Sequence, residues 1–333
     1  MLQQFKNRVF GAVIVKSINS NFNADFTHNP RTLPDGVVYS TDKALKYAIK
    51  DYFRKNFHDV VLFYVKRLNE NLNPLTLDET FKEIFGEYPT KAKPKKKEDK
   101  EQKEVTDRKA VLEKLLTALD IRLFGATFAG IVNISIHGPV QINHGVNKFP
   151  ENEIYNEDIL SPFRNPSEAG SDEKEMSTIG NQSNLKEGHY VFHFSINPKN
   201  TEEFYQMVNQ AKPDDEKLCL SIEDINKLKE AMNKAVTALD SSRKIGSENE
   251  ATIWVQLKED SRKVIPSFTE LITVERNKDI VIIHCSKVEK ILSEIQQDIE
   301  QVEIYYNPII TQIVGCPKNS FTKHYNILNN QEI

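Results

Sequence analysis

The chain has 333 residues, 39% of them hydrophobic, so it can bury a sizeable core as one large domain or two. Its 44 basic and 48 acidic residues give a formal net charge of −4, which excludes a uniformly basic protein. Any nucleic-acid surface must therefore be a local patch. Three cysteines without paired spacing fit a reducing cytoplasm, and no apolar run reaches the length of a membrane span. We expect a cytoplasmic protein with no membrane partner.

Residues 7–18 predict a first strand that is buried on both faces, because apolar side chains occupy both alternating sets. A polar, Asn-rich loop follows at residues 19–31. Asparagine and aspartate tolerate left-handed backbone and form Asx-turns, so we expect a winding path although no glycine occurs between Ala12 and Gly36. A plain solvent loop is the alternative to a binding loop.

A helix is predicted from residue 40 to about residue 57, capped by Ser40, Thr41 or Asp42. Its apolar face consists of Leu45, Ala48, Ile49 and Tyr52. Opposite them runs a basic stripe formed by Lys43, Lys46, Lys50 and Arg54. Such a stripe is often only a solvated helix face. Beside a polar loop, it is also a candidate track for RNA phosphates.

Residues 58–68 predict a second strand, and residues 69–117 predict an insertion. Within the insertion, Thr76 and Glu79 have the spacing of a capping box that opens a short helix. The highly charged stretch 91–104 is too polar to bury anything, so it is either a mobile tip or a flexible arm over DNA. A further helix from Val105 to Leu119 leads back to the core.

The segment from Thr127 to Ile136 predicts a central strand that is apolar on one face and polar on the other. Pro139 ends it, because proline has no N–H to give to a neighbouring strand. We interpret the polar residues that follow as a binding loop suited to a sugar–phosphate backbone. These residues are Gln141, Asn143, His144, Asn147 and Lys148, grouped around Gly145.

The central motif, Asp120-Ile-Arg-Leu-Phe-Gly125 followed by Gly138-Pro-Val-Gln141, resembles the signature of a known family. That family is the backbone subunit of type I CRISPR Cascade complexes, a RAMP-superfamily protein. The next residues, Ile142-Asn-His-Gly-Val-Asn-Lys-Phe149, are similar to its type I-B branch. The resemblance extends more loosely from Arg8 to about Pro198, and the last third of the chain matches only in general character.

The resemblance implies an α+β fold with a ferredoxin-like (RRM-type) antiparallel sheet as the palm, helices on one face, a helical insertion and a thumb insertion. The corresponding segments are the first part of the palm (1–68), the helical insertion with a charged mobile tip (69–117), the palm central strand and RNA loop (118–149), the thumb (150–188) and the rest of the palm (189–333). The thumb would fold over the guide RNA bound by the neighbouring copy. Met176 is either a wedge between bases there or an incidental residue.

The implied function is to polymerise along a CRISPR guide RNA (crRNA) and to present it for pairing with a target DNA strand. The implied partners are crRNA, the target strand, further copies of the chain and other Cascade subunits. No cofactor or metal is expected. The predicted RNA-binding residues are Asn21, Asn23, Arg31, Lys43, Lys46, Lys50, Arg122, Gln141, Asn143, Lys148 and Met176.

In the last part of the chain, residues 190–197 predict a strand with an aromatic stripe at Tyr190, Phe192 and Phe194, which is either core or a base-stacking surface. Ser221 opens a long helix that reaches Leu239. Strands are predicted around residues 253–257, 271–275 and 280–285, and a last amphipathic helix from residue 288 to residue 302.

No phosphate-binding glycine loop or nucleophile elbow occurs, and we expect no enzymatic activity. His189 and His193 are predicted on a strand, where their spacing is too wide for one metal ion. Asp25 is the strongest catalytic candidate, because RNA-cutting relatives in type III complexes use an aspartate in the corresponding loop. An endoribonuclease centred on Asp25 and a plain protein-interaction module are therefore the alternatives to an RNA scaffold.

Overall fold

The computed structural model describes residues 3–92, 104–160, 179–317 and 319–333. The strands are β1 (Val9–Ser20), β2 (Tyr39–Ser40), β3 (Thr90–Ala92), β4 (Glu104–Thr106), β5 (Gly125–Ala129), β6 (Asn133–His137), β7 (Val140–Asn147), β8 (Ile154–Leu160), β9 (Ile179–Ile196), β10 (Ser247–Leu257), β11 (Thr273–Asn277), β12 (Ile280–His284), β13 (Ile299–Tyr306), β14 (Thr311–Val314) and β15 (Thr322–Asn326). The helices are α1 (Asp42–Asn56), α2 (Leu77–Phe85), α3 (Arg108–Leu115), α4 (Leu119–Phe124), α5 (Glu202–Asn209), α6 (Ile222–Lys234), α7 (Phe268–Leu271) and α8 (Ser286–Glu294).

A large sheet with the strand order β15-β13-β10-β1-β9-β7-β2 forms the centre of the fold, and β8 pairs with the N-terminal part of β9. Every pairing in it is antiparallel except that of β13 with β15. The predicted α+β class with a mainly antiparallel sheet is therefore confirmed. Among the four central strands the spatial order is β10-β1-β9-β7, with α1 between β1 and β7 in sequence and α6 between β9 and β10.

β1 is buried on both faces, as its composition predicts. Val9, Val13 and Val15 pack into one core together with α1 and α6. Phe10, Ala12 and Ile14 pack into a second core with α7, α8 and the small sheet β11-β12-β14. The expectation of helices on one face only is thus wrong, because the C-terminal elements cover the other face as well. The aromatic stripe of β9 is core: Tyr190, Phe192 and Phe194 are at most 1% exposed.

Residues 58–68 do not form the predicted second strand. The segment is irregular, and the backbone N–H groups of Phe63 and Tyr64 donate to the carboxylate of Asp120 at 2.8 and 2.7 Å. In a strand, these backbone N–H groups would donate to the carbonyls of a neighbouring strand. Here the carboxylate of Asp120, a residue distant in sequence, accepts those hydrogen bonds instead. The capping box that opens α2 at Thr76 is confirmed, and a second capping box, with Ser221 as the N-cap residue, opens α6.

The central motif region also differs from its prediction. The segment expected to be one strand is a hairpin, in which β5 and β6 pair between Gly125 and His137 and turn at residues 130–132. The predicted binding loop after Pro139 is strand β7, which pairs with β9 on one side and β2 on the other. A half-exposed strand and a polar loop contain the same types of residue. The sequence pattern therefore did not distinguish a strand from a loop here.

Four further elements begin or end at residues other than those predicted. Val105 lies in β4, and the helix expected from there begins at Arg108. β9 begins at Ile179, inside the predicted thumb, and pairs with β8. α6 ends at Lys234, and the last helix ends at Glu294 while Ile299–Tyr306 form β13, which pairs with β10. The charged stretch at 93–103 and the part of the thumb at 161–178, including Met176, lie outside the described residues.

None of the helices described is both long enough and apolar enough to cross a membrane.

Candidate nucleic-acid interface

A cleft of about 340 Å³ lies between α1 and the β5–β6 hairpin. α1 lines one wall with Asp42, Lys43, Lys46 and Lys50. The other wall consists of Phe124, Gly125, Gly138 and Gln141 from the central motif, together with Ala126, Thr127, Ile136 and His137 from the β5–β6 hairpin. The fold therefore places two separately predicted features, the basic stripe and the central motif, on opposite walls of one cleft.

The three lysines of the cleft are not equivalent. Lys43 is exposed and has no ion pair within the described residues. Lys46 pairs with Asp42 at 3.1 Å, and its ammonium lies 5.6 Å from the centre of the Phe124 ring. Lys50 donates to the backbone carbonyl of Tyr64 at 2.8 Å, and burial lowers its pKa. Lys43 is thus available to an anion, Lys46 would share one with its Asp42 ion pair nearby, and Lys50 also holds the chain at residue 64.

Asp120 of the central motif is a structural residue. Its carboxylate is 2% exposed, and burial raises its pKa although hydrogen bonds from the backbone of Phe63 and Tyr64 act in the opposite direction. The Tyr64 hydroxyl then donates to the Thr127 carbonyl at 3.0 Å. Asp120 therefore positions the segment that receives Lys50.

The motif glycines allow a close contact between two stretches of backbone. Gly125 has a φ of +78°, and a Cβ there would lie 2.1 Å from the Ile136 carbonyl oxygen. A Cβ at Gly138 would lie 2.1 Å from the Phe124 carbonyl carbon. Neither position accepts a side chain without moving backbone. Their pairing in the sequence motif therefore reflects the way α4 meets the start of β7 at the floor of the cleft.

Arg122 is engaged by partners inside the fold. Its guanidinium forms two hydrogen bonds to Asp224, at 3.0 and 2.8 Å, and donates to the carbonyls of Leu116 and Thr117. Its side chain is 16% exposed and that of Asp224 is 7% exposed. Asp224 also accepts from the backbone N–H of Ser221 in the capping box of α6. We therefore correct the predicted phosphate contact of Arg122: the residue joins α4 to α6.

The Asn-rich loop is ordered by its own polar side chains, as predicted. Asp25 accepts from the backbone N–H groups of Thr27 and Asn29 in an Asx-turn, and His28 has a φ of +70°. Phe26 lies in this turn with 97% of its surface exposed. Arg31, at the end of the loop, is half-buried.

Two of the predicted RNA-binding asparagines in this loop hold the structure together. Asn21 is 3% exposed and donates to the carbonyls of His28 and Ser183, so we correct its predicted contact with RNA. Asn23 accepts from the backbone N–H and hydroxyl of Thr41, at 2.8 and 2.9 Å. Thr41 is the N-cap residue of α1 but makes no side-chain cap bond of its own. Asn23 therefore links the loop to the start of the basic helix.

The predicted residues in and directly after β7 separate into two groups. Gln141 is exposed, lines the cleft and donates to the Gly138 carbonyl at 2.8 Å. Asn143 is exposed and Lys148 is half-buried, 3.9 Å from Glu270, and neither lines the cleft. Only Gln141 therefore shares a site with the lysines of α1.

Sequence reasoning missed three residues near these lysines. His137 and Tyr64 line the cleft, and Tyr47 lies within the basic stripe, four residues after Lys43 and three before Lys50. Helical spacing could have found Tyr47, because residues three and four apart share a helix face. Nothing local indicated Tyr64, because its position depends on Asp120.

No group of three or more metal-ligating side chains occurs in the part of the chain that the structure describes. Asp25 is exposed, and the hydrogen bond from the Thr27 side chain lowers its pKa. His193 stacks on Phe268, whereas the buried His189 ring lies between Glu187 and Glu250. Arg276 pairs with Glu187 as well, at 2.5 Å, so these four side chains form an ion-pair network.

Comparison with known proteins identifies the family of this chain. The family described as CRISPR-associated protein Cas7 matches residues 7–303. The chain belongs to this family, which confirms the resemblance carried by the central motif; the narrower type I-B assignment stays a prediction.

The structure comparison also finds two matches at low sequence identity. A chain of a "CRISPR RNA-guided surveillance complex, pre-nicking" has 10% identity, covers 96% of this chain and 96% of its own, and has a TM-score of 0.49. A chain of a "CRISPR RNA-guided surveillance complex" has 10% identity, covers 90% of this chain and 88% of its own, and has a TM-score of 0.47. No curated protein matches the sequence.

Proposed function

We propose that this protein is the crRNA-binding backbone subunit of a type I-B Cascade complex and acts in the cytoplasm. One observation carries the proposal: in a chain of the Cas7 family, the basic stripe of α1 and the central motif form the two walls of one cleft. Lys43 and Lys46 would neutralise phosphates there, and the Gln141 amide would bond to phosphate or sugar oxygens. Several copies along one crRNA, together with other Cascade subunits, would add avidity to modest single contacts.

We further propose that the four central strands are a ferredoxin-like palm. The order β10-β1-β9-β7, with α1 and α6 as the two connecting helices, supports this interpretation, because a β-α-β-β-α-β chain gives that arrangement. Since the second face of this sheet is covered by the C-terminal elements, RNA would bind beside α1 rather than across the sheet. The protein would contact backbone and shape, and base pairing with target DNA would supply the sequence specificity.

A scaffold is favoured over an endoribonuclease centred on Asp25. The Asp25 carboxylate is engaged in its own turn, and no metal-ligating group of three surrounds it within the described residues. A nuclease that uses metal-activated water would need such ligands. Non-enzymatic RNA binding is therefore part of the proposal.

The test compares two helical lysine pairs that have the same spacing. Lys43→Ala/Lys46→Ala removes the cleft pair, and Lys287→Ala/Lys290→Ala removes an exposed pair at the far side of the sheet, on α8. Binding of single-stranded RNA is measured over a range of salt concentrations. Each phosphate contact contributes about −0.7 to the slope of log K against log salt concentration. The cleft variant loses two contacts, so its slope should be less steep than that of wild type by about 1.4. Equal slopes and affinities for both variants and wild type would refute the proposed interface.

A further inference from the structure

A second depression of about 420 Å³ continues from the cleft along α1. The two share Lys50 and Tyr64 in their walls. The second pocket adds Tyr47 and Arg54 from α1 and Val65, Lys66 and Leu68 from the segment after Tyr64. Its size is within the range of small-ligand sites. The basic stripe therefore passes through two connected cavities with different linings.

The Tyr47 ring forms an exposed aromatic wall that is supported from behind. Tyr47 is 54% exposed and lies on the same helix face as the lysines. The ammonium of Lys244, which does not line the pocket, lies 5.7 Å from the centre of this ring and 5.0 Å from that of the buried Phe22. Contact of this cation with both rings favours the observed orientation of Tyr47. Because Lys244 is not part of the pocket lining, the pocket side of the ring stays open to a ligand.

The pocket combines apolar and cationic groups. Val65 and Leu68 supply apolar surface, and Leu68 is 46% exposed. Lys50, Arg54 and Lys66 outnumber the single carboxylate, Asp51, which already pairs with Arg54 and Lys55. The matching ligand is a planar, largely apolar ring that carries a phosphate. A nucleotide unit has this chemistry, whereas an apolar peptide would bring no anion to this cationic lining.

We propose that this pocket binds one nucleobase of the RNA strand whose phosphates lie along α1, with the base stacked on Tyr47. The inference rests on the proposed function and extends it, because phosphate contacts alone would make the protein indifferent to whether bases are present. Stacking tolerates any base, since every base has a π-face, and is thus compatible with guides of any sequence.

The experiment uses the full chain and two probes: a short single-stranded oligouridylate, and an abasic strand of the same length that keeps the phosphates. Tyr47→Ala removes the stacking ring, Tyr47→Phe keeps it, and Leu328→Ala is a surface control at the far edge of the sheet, beyond β15. Tyr47→Ala should weaken binding of oligouridylate about tenfold, as expected for the loss of one stacking partner. Tyr47→Phe and Leu328→Ala should bind like wild type, and all four proteins should bind the abasic strand equally.

The outcomes separate the two proposals. If Tyr47→Ala binds oligouridylate as wild type does, or loses the same factor on both strands, the nucleobase pocket is refuted while the phosphate interface stands. If a peptide side chain is the true occupant of the pocket, the first of these results is expected. If wild type binds neither strand, the proposed function itself is wrong. A melting temperature equal to that of wild type verifies that each variant is folded.

Discussion

Replacing Arg122 by methionine tests whether the central motif acts on RNA or on the fold. The change removes the two hydrogen bonds to Asp224 and those to the carbonyls of Leu116 and Thr117. Methionine keeps most of the apolar stem, so the loss is mainly polar. The Asp224 carboxylate, only 7% exposed, stays behind without its cation.

The expected cost is about 3–5 kcal/mol of unfolding free energy, which is typical of a buried ion pair that loses one partner. Unfolding entropy of about 2.1 cal/mol/K per residue gives roughly 0.7 kcal/mol/K for this chain of 333 residues. The melting temperature should therefore fall by about 4–7 °C. The double variant Arg122→Met/Asp224→Asn should lose less than the sum of the single changes, because it leaves no buried unpaired charge.

The assay combines thermal unfolding with RNA binding at a temperature where every variant is folded. Arg262→Met is the matched control, since Arg262 is exposed and forms no ion pair in the described ranges. Arg122→Met should bind RNA with the affinity and salt slope of wild type. Melting like that of wild type, combined with weaker RNA binding and a smaller slope, would show that Arg122 faces phosphate and that our reading of the motif is wrong.

Three further predictions concern the thumb, catalysis and pH. Replacing residues 162–177 by a short Gly/Ser bridge should preserve the melting temperature, because β8 and β9 already pair at Leu160 and Ile179, but should abolish multi-copy assembly on long RNA; normal assemblies by electron microscopy would contradict a thumb there. Asp25→Ala should leave bound RNA as intact as wild type does in divalent metal, and cleavage by wild type alone would contradict the scaffold. Although burial opposes its charge, Glu250 and Glu187 raise the pKa of His189 above the ordinary 6.5, so its stabilisation is complete below pH 6.5 and is lost as pH rises through the raised pKa. Burial likewise opposes ionisation of Glu187, but His189 and Arg276 lower its pKa from 4.5 to about 2, so its stabilisation is present above pH 4.5 and is lost as pH falls towards 2. Urea unfolding should show a decline above pH 6.5 that is absent in His189→Gln, and an identical decline in that variant would exclude the network as its cause.

Local signals in the sequence were sufficient for the elements that depend on neighbouring residues. The two-sided apolar run of β1, the apolar face of α1, the capping box at Thr76 and the helix start at Ser221 all formed as predicted. Each rests on periodicity or on hydrogen bonds within one turn of helix. The central motif was specific enough to indicate the family, which the match over residues 7–303 confirms.

What the tertiary structure decided depends on partners far apart in the chain. Asp120 lies 57 residues from Phe63, and its carboxylate takes the hydrogen bonds that a strand at 58–68 would have used. Arg122 lies 102 residues from Asp224. The sequence predicted that Arg122 binds RNA, but the fold places it in a largely buried ion pair with Asp224. Composition identified the lysines of α1, but only the fold brought them opposite Gln141 and left Lys43 exposed while Lys50 donates to Tyr64. Hydrogen bonds between residues this far apart are properties of the folded chain, and no local periodicity in the sequence encodes them.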